Sequence, residues 1–137
     1  MTPKEFLQQI RSADRLIDSK LKQLECLRDE TTRTSSMISD MPRSDSPNLQ
    51  RMESTIVKLL DLEAEINADI DQLVDMKRVA RDAINALSNA DQRLVLELRY
   101  LCYKTWPWIA DELGYSISNV YRLHDNALKN IRLPESL

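Results

Sequence analysis

The chain has 137 residues, 19 Lys and Arg against 22 Asp and Glu, a formal net charge of −3, and a single glycine, histidine and phenylalanine. That length holds one ordinary domain, or a small domain plus an extended element, and glycine poverty with abundant Leu, Glu, Asp, Lys, Arg and Gln points to helix rather than sheet. The acidic balance argues against indiscriminate coating of nucleic acid, and one histidine with two widely separated cysteines, Cys26 and Cys102, argues against a zinc site within the chain and for reduced thiols.

The opening stretch MTPKEFLQQIRSADRL has no apolar leader core, and no apolar run approaches about 18 residues, so neither a signal peptide nor a membrane span is expected. Residues 3–33 have helical periodicity, with Phe6, Ile10, Ala13, Ile17, Leu21 and Leu24 on roughly one face and Pro3 suited to the first turn. Residues 34–47, TSSMISDMPRSDSP, break that pattern with Ser, Thr, Asp and two prolines, which predicts a linker.

Residues 48–88 form the most regular segment. Alternate steps of three and four from Leu49 visit Met52, Ile56, Leu59, Glu63, Ile66, Ile70, Leu73, Lys77, Ala80, Ile84 and Leu87, so ten of the twelve positions are apolar. Such a seam predicts a coiled coil about 60 Å long. A stripe of that length must be covered by the first helix folded back, by another chain, or by both. Val57, Leu60, Leu62, Val74 and Met76 widen the stripe and favour a bundle of more than two helices. Ile56, Leu59, Ile66, Ile70, Leu73 and Ile84 are the candidate self-association residues, giving a dimer or tetramer. Glu63 and Lys77 interrupt the seam symmetrically about Ile70. They predict either an antiparallel contact between two copies or two side chains that snorkel to solvent.

Residues 1–88 carry 13 basic and 16 acidic residues, whereas residues 89–137 carry 6 of each, so the acidity lies in the N-terminal part. The second part opens with SNADQRLVLELRYLCYK, a helix that Ser88 can cap with Asp91 three residues on, and whose apolar face is Leu94, Val95, Leu98 and Leu101. The single glycine, Gly114, lies in IADELGYSISNVYRLHDNAL. Counted from Trp106, a helix-turn-helix needs a small residue fifth, a left-handed residue ninth, and apolar residues fifteenth and eighteenth. Ala110, Gly114, Val120 and Leu123 stand at those places. Ser116 then caps the second helix.

Projected at 100° per residue, Ser116, Val120, Leu123, Ala127 and Ile131 form the inner face of that helix, with His124 beside it as a packed histidine. Ser118, Arg122, Asp125, Asn126 and Lys129 point away. The DNA-contact candidates are Ser116, Ile117, Ser118, Asn119, Tyr121, Arg122 and Lys129. Asn119 suits adenine, Arg122 suits guanine, and Tyr121 and Lys129 suit phosphates. Trp106 and Trp108 are expected to pack against the third helix and the long coiled-coil helix.

The stretch LSNADQRLVLELRYLCYKTWPWIADELGYSISNVYRLHDNALKNI resembles region 4 of bacterial sigma factors through Arg99-Tyr100, Thr105, Ile109-Ala110, Leu113-Gly114, Ser116, Val120, Ala127-Leu128 and Ile131. With the N-terminal coiled coil, the whole is similar to phage-encoded regulators of late genes of the ArpU and RinA type. It departs from sigma factors in having Ile117, Ser118 and Asn119, not basic residues, at the start of the second helix, and in lacking a promoter-melting segment.

The expected fold is all-α: a long-helix coiled-coil hairpin over residues 1–88, with helices at about 3–33 and 48–88, then a helix-turn-helix domain over residues 89–137. The expected function is sequence-specific binding of double-stranded DNA in the cytoplasm of a bacterial host. The resemblance implies activation of phage late or mobile-element genes and contact with host RNA polymerase. No catalytic constellation, cofactor motif, metal site or membrane partner is expected. Alternatives are a small-terminase-like DNA-packaging subunit and a protein-only polymerase adaptor.

Overall fold

The computed structural model describes residues 1–39 and 47–134. Its elements are α1 (Pro3–Ser39), α2 (Pro47–Asn85), α3 (Ala90–Leu96), a π-helical turn (Glu97–Leu101), α4 (Trp106–Leu113) and α5 (Ile117–Asn130). Among the described residues the protein is all-α, and no helix is long and apolar enough to cross a membrane.

Two of the expected boundaries change. The first helix continues to Ser39, past the expected end at residue 33. Its threonines turn inward on their own backbone: Thr31, Thr32 and Thr34 each donate a hydroxyl hydrogen bond to the carbonyl four residues earlier, at 2.9 to 3.0 Å. A hydroxyl satisfied in this way no longer competes with the helix. Of the expected linker, residues 40–46 lie outside the described residues. The third helix is capped by Asn89, whose side chain accepts the Gln92 amide at 3.1 Å, and not by Ser88.

The chain divides into two compact units, residues 14–71 and residues 1–13 with 72–137. In the first, α1 and α2 run antiparallel, as their ion pairs show. Lys20 meets Asp69 at 2.5 Å, Arg28 meets Glu63 at 3.1 Å and Arg51 meets Glu30 at 3.6 Å, so rising numbers on α1 meet falling numbers on α2. The Asp69 bond is the main cause that raises the Lys20 ammonium above its ordinary value. Ile17, Leu24 and Ile66 are buried. Thr34 and Thr55 are buried too, each hydroxyl bonded to the carbonyl four residues earlier.

The charged interruptions of the seam both find partners in their own chain. Glu63 takes Arg28, and Lys77 lies over the Tyr103 ring at 5.1 Å. Both contacts are made within one chain, and the Arg28 and Glu63 side chains are 61% and 36% exposed.

In the second unit Phe6, Leu7, Ile10, Ala80, Ile84, Val95, Leu96, Ile109, Val120 and Ala127 are buried. Val95 from α3, Ile109 and Ala110 from α4, and Val120 and Leu123 from α5 form one cluster, with Leu98, Trp106 and Leu113 packed against it. Between α3 and α4 the helix widens: Cys102 donates its amide to the Glu97 carbonyl five residues back, at 3.0 Å. Tyr103 then takes φ 59°, which costs a non-glycine residue about 1–2 kcal/mol.

His124 is 5% exposed and has a polar neighbour on each ring nitrogen. Nε2 lies 2.6 Å from the Tyr100 hydroxyl and Nδ1 lies 3.4 Å from Asp125. Its ring stacks on Tyr100 and receives Trp106 edge-on, with centroids 4.8 Å apart in the latter pair. Burial is the main cause that holds its pKa below 6.5, against the raising influence of Asp125 and with Lys4 and Arg99 adding to the depression. Burial also raises the Tyr100 phenol, which therefore stays a donor. A neutral His124 with its proton on Nδ1 accepts from Tyr100 at Nε2.

The depressed value sets a sign. The unfolded chain takes up the proton first, so the stabilisation from neutral His124 is complete above pH 6.5 and is lost as pH falls through the lower folded-state value. The urea midpoint of the wild type should therefore fall between about pH 7.5 and pH 5 by more than that of His124→Gln, which keeps a neutral acceptor for Tyr100. Parallel midpoints for the two proteins would refute the assignment.

Candidate functional site

The site is built on α5 and on the turn that delivers it. α4 begins at Thr105, whose hydroxyl accepts the Trp108 amide at 3.3 Å, with Pro107 in the first turn. It ends at Gly114, with φ 72° and ψ 28°. Tyr115 donates its amide to the Ala110 carbonyl at 3.0 Å and Gly114 donates to Asp111 at 3.3 Å. These two bonds are a Schellman closure, which needs the left-handed residue that glycine supplies. Ser116 then caps α5 by accepting the Asn119 amide at 3.2 Å.

Two polar ties hold this arrangement to α3. The Tyr115 hydroxyl donates to Asp91 at 2.7 Å, so Asp91 serves the turn and not a capping box with Ser88. At the other end of α5, Asn130 donates its amide to Gln92 at 3.2 Å. The inner face of α5 consists of Val120, Leu123, His124, Ala127 and Ile131, all buried. Ser116, which helical projection assigned to that face, is exposed because it stands at the cap, before the helical geometry begins.

Four of the five residues that the projection turns outward are exposed, Asp125 among them, and the fifth, Asn126, is half-buried. Ser118, Arg122 and Lys129 are exposed, as are Ile117 and Tyr121, while Asn119 is half-buried. Asn119 and Arg122 are brought together: Oδ1 of Asn119 accepts from Nε of Arg122 at 3.1 Å and from Nη2 at 2.6 Å. Tyr121 presents its ring to the edge of Trp106, with centroids 5.1 Å apart. Lys129 lies two turns further along and joins no part of this cluster.

Sequence reasoning missed the basic-aromatic pairs around the start of α4. The Arg99 guanidinium lies over Trp106 at 4.5 Å and the Lys104 ammonium over Trp108 at 4.6 Å. Arg99 also donates to the Lys104 carbonyl at 3.0 Å. The signal was present as basic and aromatic residues interleaved in RYLCYKTWPW, but pairing depends on the wide turn that separates Arg99 from Trp106. Trp106 packs chiefly against Tyr121 and His124 of α5, and not on the third helix and the rod as expected. Trp108 is 40% exposed, with Lys104 on its face.

The candidate self-association residues divide. Ile66, Leu73 and Ile84 are buried in the chain's own interior, Ile56 and Leu59 are half-buried, and Ile70 is 38% exposed. Val57 and Leu60, on the flank of the seam, are each 57% exposed. Burial of the seam within one chain leaves its flank outside. Among the described residues no group of three or more His, Cys, Asp or Glu side chains converges as metal ligands would, and both cysteines are exposed and unpaired with each other.

The chemical capacity of the site is that of a donor-rich ridge. A guanidinium, an amide, hydroxyls and an ammonium project from one rigid helix, backed by an apolar face. A Cβ added at Gly114 meets nothing within 4 Å, so the cost of replacing this glycine is conformational. Gly114→Ala should destabilise the protein by about 1–2 kcal/mol, and Gly114→Asn by less, because Asn tolerates the left-handed region. Urea unfolding of the three proteins checks the order, and equal stability of all three would refute it.

A family model described as "Protein of unknown function (DUF1492)" matches residues 33–132, from the last turns of α1 to just beyond α5. No curated protein matches, and no solved structure does.

Proposed function

The chain belongs to the DUF1492 family, and we propose that it is a sequence-specific, double-stranded-DNA-binding transcription regulator whose α4 and α5 act as a helix-turn-helix. The observation that carries this reading is the division of α5: one face is buried along its length, and the opposite face presents Ser118 and Arg122 from its first two turns, with half-buried Asn119 beside them. A helix delivered by a tight turn and read from its N-terminal outward residues is how such units enter the major groove. Ile117 and Tyr121 flank the reading residues, and Tyr121 and Lys129 serve phosphates. The pairs Lys104–Trp108 and Arg99–Trp106 add positive charge at the start of α4, the end of a helix-turn-helix that crosses the backbone.

The similarity of residues 87–131 to sigma region 4 supports a role at promoters of phage late or mobile-element genes, with host RNA polymerase as a protein partner. In this reading the protein acts in the host cytoplasm without catalysis, cofactor or metal.

The mechanism has a second part. Residues 89–137 are electrically balanced, so the module displaces few counterions and binds weakly alone. Joining copies raises avidity by about 10²–10⁴ where the geometry fits. The long helices α1 and α2 serve as the joining element. Val57 and Leu60 on α2 and Leu16 on α1 are more than half exposed, and these residues carry the self-association.

Two experiments test the reading. Binding of the full chain to DNA fragments selected from a random duplex library should yield a defined site. Arg122→Ala should then weaken binding to it by about 1–3 kcal/mol, while Lys129→Ala should weaken all sequences alike and reduce the salt slope by about 1. Failure of the wild type to select any sequence at low salt would sink the proposal. Independently, sedimentation should give a dimer or tetramer that dissociates in the double variant Val57→Glu, Leu60→Glu. A monomeric wild type would remove the avidity argument, and a ring of about eight or more copies would favour a packaging role instead.

A further inference from the structure

The hydrogen bonds between Asn119 and Arg122 determine what each side chain can read. An asparagine side chain has one carbonyl oxygen with two acceptor sites and one NH2 group with two donors. Nε and Nη2 of Arg122 converge on that single oxygen at 3.1 and 2.6 Å, so the guanidinium covers the side of the carbonyl that faces it. Bidentate recognition of adenine needs the same oxygen to accept from N6 while the NH2 donates to N7. An adenine on Asn119 would therefore have to share an oxygen that a cationic fork already holds.

The guanidinium has the opposite position. With Nε and one hydrogen of Nη2 engaged, its end edge keeps parallel N–H groups on Nη1 and Nη2. That pair is a fork that fits O6 and N7 of guanine. The backbone amide of Asn119 is itself fixed by Ser116, so the buttress is held at the cap of α5. The pair is formed before any ligand arrives, which lowers the entropy that Arg122 loses on binding.

We propose that Asn119 is a positioning residue for Arg122 and not a base reader, so that this part of α5 selects guanine through Arg122 and leaves adenine unread. The inference rests on the DNA-binding function proposed above and changes the role first expected of Asn119. It assigns the outward edge of the pair a donor-only character. Acceptor-presenting bases, above all guanine, are favoured there, and the N4 donor of cytosine is disfavoured.

The test uses the full chain and a random duplex library, with wild type, Asn119→Ala, Arg122→Ala and the double variant, each checked for wild-type helicity and melting. Wild type should select guanine at one position of its site. Arg122→Ala should lose that preference and about 10–100-fold in affinity. Asn119→Ala should bind the same sequence about 3–10-fold more weakly with every base preference kept. The double variant should be no weaker than Arg122→Ala, because Asn119 acts through Arg122. Loss in Asn119→Ala of an adenine preference that Arg122→Ala retains would overturn the inference while leaving DNA binding standing. Additive losses in the double variant would also overturn it. A wild type that selects no sequence defeats the DNA-binding function itself, and this inference with it.

Discussion

The outward face of α5 depends on a single constraint, the reversal of the chain within three residues between Leu113 and Ile117. A right-handed helix cannot turn back on itself so quickly without one residue in the left-handed region, and Gly114 takes φ 72° there. The consequences run in both directions. Backward, the Tyr115 amide closes the last carbonyls of α4, and Ala110, small and buried, marks where the two helices approach. Forward, Ser116 caps α5 and fixes the rotation at which Val120 and Leu123 turn inward. Once that rotation is set, Ser118 and Arg122 have no direction left but outward.

The polar centre of this unit serves the same end. His124 belongs to the inner face of α5, where an unpaired imidazole would carry a desolvation penalty. Tyr100 supplies its partner, and the widened turn over residues 97–101 lies between α3 and the segment that leads to α4. Trp106 touches both His124 and Tyr121, so one indole links the inside of α5 to its flank. The Asp91–Tyr115 and Gln92–Asn130 hydrogen bonds then fasten the two ends of α5 region to α3. A helix held at both ends and along one side offers a firm surface, which is what the proposed recognition of DNA by a few side chains demands.

The long helices follow a different logic. Their pairing rests on a seam of Ile17, Leu24 and Ile66 flanked by cross-helix ion pairs, and half-exposed pairs of that kind contribute little stability while they select register. Two helices alone cannot cover an apolar stripe as wide as that of α2, so Val57 and Leu60 remain outside. Charge at two seam positions is accommodated inside the chain: Glu63 reaches Arg28, and Lys77 rests on an aromatic ring.

Periodicity alone determined that the protein is helical, that α2 is long, and that residues near 106–130 form two helices about a tight turn. Each of these is a local matter: the spacing of apolar residues, one glycine in the whole chain, a Ser or Thr before a helix. The outward positions of Ser118, Arg122 and Lys129 were legible for the same reason, since 100° per residue fixes sides once the inner residues are known. What tertiary structure decided is every question of partner. The threonines at 31, 32 and 34 read as a break but extend α1, because each hydroxyl found a carbonyl of its own helix. Asp91 looked like a capping partner but bonds Tyr115, 24 residues away. The heptad seam did not say whether it would be covered by its own chain or another. Asn119 and Arg122 were each assigned a base, yet three residues on a helix bring their side chains into contact, and the acceptor of one is taken by the donors of the other. A sequence fixes where a side chain can point. Which of several possible partners it meets depends on what the rest of the fold brings within 3 Å, and no periodicity encodes that distance.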